Sequence, residues 1–151
     1  MLKAIAFRLA REEEKSLLEG LQRRASLANP GDREAILAHP EAIDLPIVQI
    51  QEKRVIVAEV SGAIVGFSVV LTRTDGQGEL DGLFVEPTLW RMGVGRELVQ
   101  KAGELIRNFG SNRLHVTGNP HALQFYLSVG FKLVGTTSTQ FGPGLLLSKE
   151  L

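Results

Sequence analysis

The hydrophobic positions of this chain follow two periods, and the switches between them outline its elements. Ala4–Leu9 (AIAFRL) reads as a strand. From Arg11 to Ala28 the apolar residues Leu17, Leu18, Leu21, Ala25 and Ala28 recur at helical spacing, and Asn29-Pro30-Gly31 ends the run. Asp32 stands where a cap is wanted for a second short helix through His39, which Pro40 stops. Residues 40–53, with two prolines, read as an irregular connection. Arg54–Val60 and Ala63–Thr72 are strand-like and joined by Ser61-Gly62, a hairpin signal. After a turn over Thr74–Gly78, Glu79–Val85 is a further strand. Leu98, Ala102, Leu105, Ile106 and Phe109 then form one face of a helix over Val94–Phe109, with Gly110 placed for a left-handed cap. Arg113–Thr117 reads as a strand, and a short helix runs from Asn119 or Pro120 to Val129. Phe131–Gly135 and Leu145–Ser148 are two last strands around a Thr-rich turn.

The tight turns make the middle strands antiparallel, while the segment from Leu80 to Val116 is long enough for a parallel crossover. The order predicts a single α/β (α+β) domain over residues 1–151, a mixed sheet with helices on both faces.

Composition narrows the function. Lysine plus arginine and aspartate plus glutamate number 17 each, so nothing favours a general nucleic-acid or membrane-surface binder. With no cysteine, disulfides, thiolate metal sites and a cysteine nucleophile are excluded. No His, Asp or Glu spacing suggests a metal site. The first residues lack an apolar run of signal-peptide length, and the expected location is the cytoplasm.

The most specific chemistry lies between Glu79 and Val99. A strand ends near Pro87, and a loop containing Gly93-Val94-Gly95 runs straight into a helix. Free amides and the helix dipole favour an anion there, and glycine lets phosphate approach the backbone. Two familiar phosphate loops fail. Leu98 replaces the third glycine of a dinucleotide fingerprint, and Arg96-Glu97 stands where a P-loop needs Lys and then Ser or Thr.

Three ordered motifs resemble the GCN5-related N-acetyltransferase (GNAT) superfamily. Leu83-Phe84-Val85-Glu86-Pro87 resembles the end of its central strand, and Arg91-Met92-Gly93-Val94-Gly95-Arg96 its pyrophosphate loop. Asn119-Pro120-His121-Ala122 through Phe125-Tyr126, with Gly130-Phe131, resembles its second cofactor motif. The resemblance implies a mostly antiparallel sheet of six to seven strands with one splayed parallel pair, flanked by about four helices. Trp90 departs from the pattern, since the family often has Gln or Arg three residues before the first glycine; a side-chain contact from that position is in question.

The resemblance also implies an activity: transfer of acetyl from acetyl-coenzyme A to an amine by direct attack. Backbone amides from Arg91 to Arg96 would hold pyrophosphate. Leu83, Phe84 and Val85 would line pantetheine, with an amide near Val85 at the thioester carbonyl. Asn119 would bind the pantetheine arm from the far side. Tyr126, the one tyrosine, falls where the family places a proton donor to the leaving thiolate; the alternative is a tyrosine packed beside Phe125 and Phe131. For the base that takes the amine proton, Glu79 stands fourteen residues before Gly93, at an offset like that of the histone-modifying members. Asp81, on the same strand face by period two, and His115 are the alternatives, as is ordered water.

The acceptor would lie between Leu21–Leu45 and Thr136–Gly144, whose mixed charges favour a small-molecule amine over a protein N-terminus or lysine. A non-catalytic acyl-CoA-binding domain would keep the loop without needing Tyr126 or a base. A homodimer is common in families of this kind.

Overall fold

The computed structural model describes residues 4–151, and over them the two periods become one seven-stranded sheet between two helical layers. Strand β1 (Ala6–Leu9) pairs antiparallel with β2 (Val55–Val60), which turns into β3 (Ala63–Thr72). The turn is the expected Ser61-Gly62, and both residues take positive φ, 53° and 80°. That backbone twist matches the twist of the strands it joins. Strand β4 (Gly78–Val85) continues antiparallel, and with β5 (Arg113–Gly118), β6 (Lys132–Thr139) and β7 (Gly142–Glu150) the sheet order is β1-β2-β3-β4-β5-β7-β6.

On one face lies helix α1 (Lys15–Ala28), which buries Leu18 and Leu21 against Val57, Phe67 and Val69. The short helix α2 (Arg33–Ala38) follows it. On the other face, the helix predicted from Val94 is α4 (Val94–Asn108), burying Val94, Leu98, Val99, Ala102 and Ile106. It carries the chain from β4 to β5 (Arg113–Gly118). Helix α5 (Leu123–Ser128), entered through a 3-10 turn at Pro120–Ala122, precedes the hairpin of β6 (Lys132–Thr139) and β7 (Gly142–Glu150).

Two expectations need correction. The connection over 40–53 contains helix α3 (Ile47–Gln51), which follows Pro46 and buries Ile50 in the cluster under α1. One and a half turns with Val48 exposed are too short to present a helical period. The last two strands also run further toward their turn than expected. Thr136, Thr137 and Thr139 suit a pleated ladder, and Gly142 at φ 116° makes the tight turn. Pro143 is tolerated because β5 ends opposite Leu145, leaving β7 one neighbour at that point.

Strand β4 carries the feature that shapes the site. Gly82 pairs with Val69 and Leu80 with Val70, so Asp81 is an extra residue in β4, a bulge. The bulge shifts the alternation by one. Leu80 packs on Val99, Ala102 and Ile106, and Leu83 packs on Val94 and Leu98, so both face α4 although three apart. Phe84 points the other way, 5.3 Å from Phe67. Beyond Asp81 the alternation is therefore displaced by one residue.

Ser68 lies in the middle of β3 with 0% exposure, and its hydroxyl has no partner among the described residues. A desolvated, unpaired hydroxyl opposes folding. Ser68→Ala is expected to stabilise the protein by about 1 kcal/mol. A urea titration would show a higher midpoint with unchanged slope; a lower midpoint would refute the assignment.

Candidate active site

The parallel pair β4–β5 has only two rungs, Gly78 with Leu114 and Glu79 with His115. Beyond them the strands diverge: β5 continues along β7, and β4 bends at its bulge toward β3. A cleft of about 610 Å³ opens in the resulting splay. Leu80–Val85 form one wall and Val116–Asn119 the other, with Phe125 and Tyr126 between them. Ala25, Ser26, Asn29 and Asp32 close it from the α1–α2 side.

The glycine loop forms the rim at the start of α4. Arg91 and Gly93 both adopt left-handed backbone, φ 67° and 92°. For arginine this costs about 1 kcal/mol or more, which is typical of a functional loop. The first intrahelical bond is accepted by Gly93 from Glu97, so the amides of the first turn have no partner within the helix. Gly95 carries no side chain for a reason: a Cβ there would lie 3.3 Å from the Phe125 ring. Arg91, Gly93, Gly95 and Arg96 line the cleft. Met92 and Val94 do not; the first is exposed and the second is packed beneath the loop against Leu98. Arg96 donates to the Ser128 carbonyl at 3.2 Å, tying the loop to α5.

Trp90 resolves the question raised by its position. Its indole Nε1 donates to the Val85 carbonyl at 2.8 Å, fastening the loop to the end of the central strand. Arg24 adds a second brace through a two-pronged pair with Glu86, at 2.7 and 2.9 Å. That arginine holds the Glu86 carboxyl below its usual range.

Leu83, Phe84, Val85 and Asn119 all reach the cleft. Both ends of the Asn119 amide are in use, however: its oxygen accepts from the His121 amide at 2.9 Å and its nitrogen donates to Asp32 at 3.1 Å. Tyr126 lies edge-on to Phe125 and Phe131, with ring centres 5.3 and 5.4 Å away, and it also lines the cleft. Gly118 makes room for it, since a Cβ there would come within 3.0 Å of the tyrosine ring. Desolvation first, and the nearby Asp32 charge second, push the phenol up to about 12.

Of the three carboxylate and imidazole candidates on the central strands, only Asp81 lines the cleft. Glu79 and His115 face each other at the closed end of the splay. His115 contacts the Gln77 side chain there, and desolvation with the Arg73 charge lowers its pKa. Crowding by protein raises the Asp81 carboxyl above its ordinary value, opposed by hydrogen bonding from Gln49. Asp32 escapes sequence reasoning altogether. Its position before α2 marks it as a cap, and only the packed turn shows it in the cleft.

Among the described residues no cluster of His, Asp or Glu could hold a metal, and no helix is long and apolar enough to cross a membrane.

The fold is shared with solved structures. The PaiA N-acetyltransferase from Thermoplasma acidophilum, in complex with coenzyme A, superposes with a TM-score of 0.80 at 16% identity, covering 99% of this chain and 100% of that one. YncA from Salmonella typhimurium, a putative acetyltransferase with acetyl-CoA, gives 0.72 at 20% identity over 99% and 95%. The apo form of YjaB from Escherichia coli gives 0.74 at 28% identity over 97% of each chain. No curated protein sequence matches the chain. The family model described as the acetyltransferase (GNAT) family matches residues 20–131, which span the loop, the splay and the Tyr126 segment, and the chain belongs to that family.

Proposed function

We propose that this chain is an acetyl-CoA-dependent N-acetyltransferase acting on the primary amine of a small molecule. One observation carries the reading: the parallel pair opens after two rungs beside a glycine loop whose first-turn amides lack helical partners. A splay flanked by unpaired strand edges suits an extended, amide-containing arm, and the amides at its rim suit a pyrophosphate. Coenzyme A, present with PaiA, and acetyl-CoA, present with YncA, carry both such an arm and a pyrophosphate.

The residues divide the work. Amides from Gly93 to Arg96 hold the pyrophosphate, while Leu83, Phe84 and Val85 line the acyl-bearing arm. An amide near Val85 supports the developing charge on the thioester oxygen. Tyr126 donates from its hydroxyl to the departing sulfur; a phenol kept protonated near and above neutral pH is suited to that task. The bridge from Asp32 to Asn119 narrows the acceptor side, which favours a compact amine over an extended peptide. A similar fold occurs in an aminoglycoside 6'-N-acetyltransferase complexed with coenzyme A, with a TM-score of 0.72 at 18% identity.

Calorimetric titration with acetyl-CoA, with NAD+ as a control that carries a pyrophosphate but no pantetheine, tests the reading. Saturable one-to-one binding of acetyl-CoA alone is expected, with a parallel change in Trp90 fluorescence. No binding at millimolar ligand would overturn it.

A further inference from the structure

We propose that Asp32 receives the acceptor: its carboxylate binds the ammonium group of a cationic alkylamine and takes the proton that must leave before attack. This rests on the acetyltransferase reading above and adds to it a substrate class and a residue.

Four observations carry the assignment. Asp32 precedes α2 at a capping position, yet its backbone is already helical (φ −114°, ψ −20°) and its side chain caps nothing. A helix cap is forgone, and the carboxylate turns into the cleft instead. It is held there by a single neutral donor, Asn119 Nδ2, whose orientation is set because Oδ1 accepts from His121. The contact depends on Gly31, since a Cβ on that residue would fall 2.3 Å from Asn119 Nδ2. Lastly, no ion pair engages Asp32 among the described residues. The adjacent Arg33 is turned away, donating to the Leu27 carbonyl at 3.1 Å. A half-buried carboxylate with a neutral donor and no ion pair favours a cation from outside.

The electrostatics agree with the geometry. Burial raises the Asp32 carboxyl above its usual value, opposed by the Asn119 bond and by His121, and its charge in turn raises the Tyr126 phenol. The other titratable or charged groups lining the cleft are Asp81 on the β4 wall, Tyr126, and Arg91 and Arg96 at the rim.

The protons balance. The ammonium gives one proton to Asp32, and the free lone pair bonds to the acetyl carbonyl carbon. As the carbon–sulfur bond breaks, its electron pair leaves on sulfur. Tyr126 passes its proton to sulfur and regains the second proton of the nitrogen, and Asp32 releases its own to water. One acetamide, one thiol and one proton result.

The test uses benzylamine as the acceptor with Asp32→Asn and Asp32→Glu. Acetyl-CoA affinity by calorimetry is expected to be unchanged in Asp32→Asn, while kcat/KM for benzylamine falls on the order of 100-fold. The acidic limb of the kcat/KM profile should disappear in that variant and return in Asp32→Glu. Unchanged kcat/KM and an unchanged pH profile, with acetyl-CoA still bound, would overturn the assignment. Loss of acetyl-CoA binding by the wild type would instead overturn the function on which it rests. Should the variants fail to fold, direct binding to the wild type without acetyl-CoA decides: benzylamine, protonated at neutral pH, is expected to bind at least about 10-fold better than benzyl alcohol. Equal binding, or binding of neither, would overturn the proposal.

Discussion

Gly95→Glu is expected to remove most of the affinity for acetyl-CoA. The space a side chain would need is taken: a Cβ at this position meets Phe125 ring carbons at 3.3 Å and Val85 at 3.8 Å. The glutamate must displace that ring or fill the cleft, and in either case it sets a negative charge at the start of α4. There it takes the amides that would serve pyrophosphate and repels the ligand's own charge. Charge-assisted bonds contribute about 1.5–3 kcal/mol each, so losing two lowers affinity on the order of 100-fold or more. Gly95→Ala separates bulk from charge. It asks only for a small shift of Phe125 and should cost far less. Calorimetry on the two variants checks both statements, and a Gly95→Glu protein that binds acetyl-CoA normally would remove the loop from the site.

Tyr126→Phe is expected to lower turnover on the order of 100-fold and to leave acetyl-CoA affinity within a few-fold of the parent. The ring is retained, so its edge-on packing against Phe125 and Phe131 survives, and only the hydroxyl is lost. Steady-state kinetics at saturating acetyl-CoA decide the matter, with the loss of one oxygen confirmed by mass. Equal turnover would make Tyr126 a packing residue alone. The pH dependence of stability gives an independent check. The folded phenol lies at about 12, above its unfolded value of about 10, so the folded state binds its proton more tightly. The stability this contributes is present below about pH 10 and is lost as pH rises toward about 12. Tyr126→Phe should flatten that alkaline loss.

These two residues show what local signals can carry. The loop was legible because a glycine pair between a strand and a helix has few other uses. Tyr126 was legible because it is the chain's one tyrosine and follows a recognisable Asn119-Pro120 start. The apolar stripe of α4 and the Ser61-Gly62 turn were equally plain, each set by a few neighbouring residues. Glu79 shows the opposite. An offset from Gly93 picks it out, yet the two ladder rungs close the splay at its level, and it stays outside the lining of the cleft.

The sequence by itself determined the element order, the two-sided sheet, the glycine loop at the start of α4 and the family. Period, turn chemistry and capping act within a few residues and survive without knowledge of the fold. The tertiary structure alone decided the bulge at Asp81, the short helix α3 and the anchoring of Trp90 on Val85. It also turned Asp32 from a helix cap into a cleft carboxylate, because its partner Asn119 is 87 residues away. A side chain with both a local and a distant use is settled by which contact the packed chain brings within reach, and that distance is not written in any window of the sequence.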